Sequence, residues 1–227
     1  MTPCWPAGVA PPPEEAASAA RGVERALPLV LRLERADPPA RTAALEAGAI
    51  AVLRLLGDPR SIDGEWAAAV RAWEGRRIRK VVRRARGAPW RRAGLLPGID
   101  VEHDGAQVRV FPPVPLDDWP RDLAVLQVSG TDLEPDAPPA PPAGSAVIWL
   151  APGAAMSAGK AMAQAGHAAQ LGWRASGAGQ RAAWAAAGFA LAVRTASPTQ
   201  WADVLARGLP SVRDAGFTEV APGTRTA

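Results

Sequence analysis

Between Thr131 and Ser145 the chain passes through Pro135, Pro138, Pro139, Pro141 and Pro142, a stretch that neither a helix nor a central strand can cross. Each proline removes a backbone donor and fixes φ. Regular structure must therefore be built from what lies on either side. Residues 131–144 read as an extended Pro/Ala-rich linker and a domain boundary, with residues 14–130 before it, 145–227 after it and a Pro-rich, disordered 1–13 at the start. With Pro152, the same prolines exclude a transmembrane helix from the longest uncharged run, Ala137 to Gly159. Met1 to Ala10 has no basic n-region and is broken by Pro3 and Pro6, so it does not read as a secretory signal. A single cysteine, Cys4, cannot close an internal disulfide, and a cytoplasmic setting is expected.

Ahead of the boundary, apolar spacing predicts a helix from Glu14 to about Ala36, kinked at Pro28, a second from Ala40 to Leu56 and a third from Gly64 to Arg86. Residues 76–92 hold nine basic side chains and no acidic one. As a basic helix this stretch would turn Arg79, Arg83 and Arg84 outward as a phosphate-binding surface. Ile99 to Glu102 and Gln107 to Phe111 flank an Asp104-Gly105 turn and predict a β-hairpin, with His103 read as a surface loop residue. The expectation is a mainly helical N-terminal domain with a β-hairpin, its role unassigned.

After the boundary the pattern alternates: strand 145–151, helices 157–174 and 178–187, strand 189–195, helix 198–207 and strand 209–213. Ser197-Pro198-Thr199-Gln200 joins an N-cap, a proline at the first helical position and a capping-box glutamine. Strands joined by helices over so short a span imply an α/β fold, a small mixed sheet with flanking helices, and ligands beyond the carboxyl ends of its strands.

At such an end stands the stretch Met156-Ser157-Ala158-Gly159-Lys160. On a helix, Lys160, Gln164, His167 and Leu171 share one narrow stripe. A lysine in a first helical turn opposes the macrodipole, and only Lys80 and Lys160 are lysines among the 26 basic residues. A position that keeps lysine against that bias points to a need for a compact ammonium. Residues 1–144 carry 19 basic and 19 acidic side chains and residues 145–227 carry seven and three, so the net charge of +4 lies in the second part. That surplus suits a polyanionic substrate.

The run Met156-x-x-Gly159-Lys160-x-x-Ala163-Gln164-x-x-His167-Ala168 resembles the first-helix signature of the type-2, archaeal and eukaryotic, peptidyl-tRNA hydrolases. A second block is similar to that family's later motif: Asp214-Ala215-Gly216-Phe217-Thr218 followed by Pro222-Gly223-Thr224-Arg225-Thr226. The resemblance covers residues 145–227. It implies hydrolysis of the ester between peptide and tRNA without metal or other cofactor, with Lys160, Asp214 and Thr218 in the catalytic centre. Gln164, His167, Arg213 and Arg225 are the candidate substrate contacts, joined by Arg79, Arg83 and Arg84 from the first part. The expected partner is tRNA, no membrane is expected, and a homodimer is left open. The alternative is a tRNA-binding or RNA-binding protein that keeps the hydrolase fold without turnover. The last strand is expected to be shorter than the family's.

Overall fold

The computed structural model describes residues 23–216 and 219–227, so the expectations for residues 1–13, for a helix start at Glu14 and for Thr218 lie outside it. Strand β1 (Arg25–Arg32) occupies the place expected for the first helix, and its residues are buried on both faces. Leu27, Leu29 and Leu31 enter the main core, while Val30 enters a smaller one with Phe111 and Leu123. A short continuous apolar run of this kind carries no period that separates a two-sided strand from a helix. Pro28 fits because of where it falls. Strand β4 (Ala106–Val110) pairs with β1 up to Leu29 and β5 (Val114–Pro115) takes over at Ala26, so the missing N–H lies between two ladders.

The basic helix expected over 76–92 is likewise corrected. Residues Lys80–Ala85 form strand β2, parallel to β1, and a short helix follows over Gly87–Ala93. Period two governs here, with Lys80 and Val82 buried and Val81 and Arg83 less so. With β3 (Ile99–His103) the first sheet runs β2-β1-β4-β3, and the predicted hairpin is its β3–β4 pair. This part is therefore not mainly helical. Its helices, numbered in order, are α1 (Arg41–Gly57), α2 (Pro59–Ile62), α3 (Ala67–Glu74), α4 (Gly87–Ala93) and α5 (Arg121–Ala124).

The second half follows the expected order: β6 (Ala146–Leu150), α6 (Ala158–Ala175), α7 (Ala178–Ala186), β7 (Leu191–Thr195) and α8 (Pro198–Ala206). Ser197 and Gln200 form the predicted capping box. Strands β6 and β7 are parallel. Instead of a strand over 209–213, residues 212–214 and 224–227 make a short antiparallel ribbon through Val212 N–H to Ala227 O (2.6 Å), Thr226 N–H to Val212 O (3.0 Å) and Asp214 N–H to Thr224 O (2.9 Å). Ala151 N–H donates to Thr226 O at 3.0 Å and docks the ribbon beside β6.

Both halves thus follow the same path: strand, long helix, second helix, parallel strand, third helix, then two antiparallel segments that return beside the first strand. Only the short α2 interrupts the correspondence. Setting Ala43-Ala44-Leu45-Glu46-Ala47-Gly48 of α1 on Ala161-Met162-Ala163-Gln164-Ala165-Gly166 of α6 places Thr42 opposite Lys160 and Glu46 opposite Gln164.

The two long helices pack against each other at the centre. Thirteen of the 17 residues of α1 are buried, which makes it a core helix rather than a surface one. It lies against β3 and β4 and also β7, while α6 lies against β6 and also β2, so each helix crosses to the other half's sheet. Glycines set the approach. A Cβ at Gly48 would stand 2.2 Å from Met162 Cγ, and one at Gly166 would stand 3.0 Å from Val52 Cγ2. The main core runs through both halves without a break at 131–144. The linker is itself anchored: Thr131 Oγ1 accepts from Gly159 N–H at 3.0 Å and the Asp136 carboxylate accepts from Thr42 N–H at 3.1 Å. No helix among the described residues is long and apolar enough to cross a membrane.

Candidate active site

Strand β6 is apolar and ends at Leu150, and the chain turns through residues 151–156 into α6. Ser157 caps that helix, its Oγ accepting from Lys160 N–H at 3.2 Å. The Glu219 carboxylate covers the same helix start, accepting from Ser157 N–H at 2.7 Å and Ser157 Oγ–H at 2.9 Å. Negative charge there favours the helix dipole and offsets the placement of an ammonium in the first turn.

Lys160 Nζ meets Asp214 Oδ2 at 2.5 Å, with side-chain exposures of 11% and 6%. An ion pair this enclosed needs further hydrogen bonds to offset its lost hydration. Asp214 has them: Gln164 Nε2 donates to Oδ2 at 2.8 Å and Gly216 N–H donates to Oδ1 at 2.7 Å. Gly216 has φ of 77° and a Cβ there would lie 2.3 Å from Pro222 Cγ, so only glycine brings this N–H round. Gln164 is oriented from its other end, where Thr226 Oγ1 donates to Oε1 at 2.6 Å. The ammonium and carboxylate, far apart in sequence, are thereby fixed at the end of β6 beside the ribbon.

They open on a cleft of about 860 Å³ between α6, the ribbon and strand β2 of the first half. Lys160, Gln164, His167 and Leu171 form one wall, as a single helical stripe would. Arg213 stands on the ribbon side and Arg77 and Arg79 on the β2 side. Two of the basic residues from the first half are engaged away from this cleft. Arg83 donates to Leu126 O (2.5 Å) and Ala124 O (3.0 Å) and lies over Trp119, while Arg84 holds Ser129 O at 2.8 Å and the Gln127 side chain. Arg225 pairs with Arg213 across the ribbon and does not line the cleft.

His103 is not the surface residue its place beside a turn predicts. It is half-buried, with Nε2 2.9 Å from Glu46 Oε2. Sequence reasoning also passed over Lys80, buried on β2 with Nζ 3.2 Å from His167 Nδ1 and 2.6 Å from Gln170 Oε1. Its signal was available, since it is the other lysine in a chain that otherwise uses arginine. Burial holds Lys80 well below the usual lysine range, with Arg174 adding to the effect and Glu74 opposing it. Burial, then the charges of Lys80 and Lys160, hold His167 well below the usual imidazole range. That direction favours the neutral imidazole.

Chemically, the arrangement offers an ammonium that can stabilise negative charge, a carboxylate that can accept from a water, and an amide that keeps the two in register. No protein-family model, no curated protein and no solved structure matches the chain.

Proposed function

We propose that the chain is a peptidyl-tRNA hydrolase. The observation that carries the reading is the 2.5 Å contact between Lys160 and Asp214, because the two residues come from the two separate motif blocks that resemble the type-2 enzymes. The basic side chains at the cleft, Arg77, Arg79 and Arg213, add a surface for the phosphates of the tRNA end.

In this scheme the ester carbonyl lies at Lys160. A water held by the Asp214 carboxylate attacks the carbonyl carbon and passes a proton to that carboxylate, while the new oxyanion faces the Lys160 ammonium. The carbon–oxygen bond to the ribose then breaks, the 3′-oxygen leaves with the proton, and free peptide and tRNA result. An ester is already an activated acyl group, so a positioned water and a stabilised oxyanion suffice without a covalent intermediate. Neither a metal nor another cofactor has a part in these steps.

The test is release of free tRNA from peptidyl-tRNA by the full chain. Lys160→Ala and Asp214→Asn should each lower kcat/KM at least about 100-fold, the scale of a lost electrostatic or acid–base group, with circular dichroism unchanged. Full activity in both variants would remove the assignment. Salt-sensitive tRNA binding with no turnover in the wild type would support the RNA-binding alternative instead.

A further inference from the structure

The cleft holds a second buried cluster that this chemistry leaves unused, and the first half supplies its key residue. Lys80 Nζ donates to Gln170 Oε1 at 2.6 Å. The orientation of that amide is set from behind, where Gln170 Nε2 donates to Glu74 Oε1 at 2.8 Å and Arg174 holds the same carboxylate at 3.1 Å. Lys80 also lies 4.8 Å from the centre of the Trp73 ring. Its second polar neighbour is His167 Nδ1, at 3.2 Å. As an ammonium, Lys80 has hydrogens for both neighbours and no lone pair to accept with, which leaves Nδ1 bare and the imidazole proton on Nε2. His167 lines the cleft, and no described residue takes Nε2 as a hydrogen-bond partner.

The surroundings define what that N–H can take. Leu171, one turn along α6 from His167, and Ile78 and Val82 line the same cleft, and burial favours the neutral imidazole, so this N–H suits a neutral oxygen. His167 lies seven positions along α6 from Lys160, a rise of about 10.5 Å. An extended peptide covers that span in about three residues.

We infer that Lys80 is a positioning residue that holds His167 as the Nε2–H tautomer, and that His167 donates to a peptide carbonyl about three residues from the scissile ester. This rests on the hydrolase reading and extends it to specificity. The cleft distinguishes a peptidyl group of three or more residues from a single acylated amino acid, and residues 80 and 167 measure the difference. The first half is then part of the substrate site rather than an appendage.

The experiment compares full-length wild type, Lys80→Met and His167→Phe on two substrates, tRNA carrying a tetrapeptide and tRNA carrying one N-acetylated amino acid. Wild type should favour the longer substrate about tenfold in kcat/KM, the scale of one net hydrogen bond. Both variants should lose that preference, with the larger loss of rate on the tetrapeptide substrate. Equal losses on both substrates would assign Lys80 and His167 to structure alone, and a preserved preference would also overturn the inference. Nitrogen-15 spectra of the wild type, which has only two histidines, give a second reading. His167 should show a protonated Nε2 and a bare Nδ1, and a proton on Nδ1 overturns the inference whether or not any substrate turns over. Absence of turnover on both substrates would remove the hydrolase reading, and with it the carbonyl contact, while the spectra still decide the tautomer.

Discussion

The two halves trace one topology and put different chemistry at the matching place on their central helices. In the second half Gln164 ties Asp214 to Thr226 and leaves an ammonium–carboxylate pair at the edge of a large cleft. In the first half the matching residue is Glu46, and its carboxylate is enclosed. Oε1 accepts from Val193 N–H at 2.9 Å and Arg194 Nη1 at 2.7 Å, and Oε2 faces His103. Thr42 stands where Lys160 would be, beside a cavity of only about 300 Å³. A neutral amide at this position orients an ammonium–carboxylate pair, whereas a carboxylate at the same position becomes a brace that ties α1 to β7 of the other half. One scaffold thus yields a site on one side and a tie on the other, through a change in side-chain charge.

The largest expected effect tests the brace. Glu46→Gln leaves Arg194, with a side chain only 13% exposed, without its counter-charge, and should cost about 3 kcal/mol in urea unfolding. A loss under about 0.5 kcal/mol would show that the halves do not depend on this tie. Next is the helix crossing. Gly48→Ala gains about 1 kcal/mol of helix propensity but drives its new methyl into Met162, an overpacking cost of about 1–3 kcal/mol. A net loss of up to about 2 kcal/mol should follow, relieved by adding Met162→Ala. Gln164→Ala removes two buried hydrogen bonds and should cost about 2 kcal/mol in unfolding, while lowering hydrolysis more than tenfold. If the activity loss merely tracked the stability loss, Gln164 would be no more than a second brace. Gly166→Ala, with its nearest neighbour at 3.0 Å, should change stability by less than about 1 kcal/mol.

Much of the second half was legible because its signals are local. Ser157, Pro198, Gln200 and Gly208 are caps and stops that act within one turn, and Lys160, Gln164 and His167 declare a shared face by spacing alone. The first half hid its strands because β1 and β2 answer to distant neighbours. The apolar run around Pro28 fits a strand only once β4 and β5 divide its outer edge between them. Arg79, Lys80, Arg83 and Arg84 read as a charged helix face until pairing with β1 turns alternate residues to opposite sides. The β2 wall of the cleft, and with it Lys80, could not be found without that pairing. Nor could the repeated topology, since apart from the short Glu46-Ala47-Gly48 and Gln164-Ala165-Gly166 stretches the halves share little that the eye can align.

The smallest effect separates the halves by pH. In the first half the hydrogen bond that His103 donates to the Glu46 carboxylate raises His103 above its ordinary 6.5, with burial opposing and Asp104, 3.7 Å away, assisting. A raised folded value means that the stability His103 contributes is fully present below about pH 6.5 and is lost as pH rises through that higher value. Burial pushes Glu46 upward, but bonds from His103, Val193 N–H and Arg194 outweigh it and hold it below 4.5, so its contribution fades only as pH falls through that lower value. In the second half the sign reverses. His167 is held well below 6.5, so the unfolded chain binds its proton first and stability falls as pH drops below about 6.5. Thermal melts from pH 4 to 9 should therefore show two opposed limbs. His103→Gln should flatten the alkaline limb by under about 1 kcal/mol because the pair is partly solvent-screened, and His167→Gln should flatten the acidic one. If both substitutions flattened the same limb, the two histidines would share an electrostatic setting, and the contrast between a closed brace and a desolvated cleft wall would fail.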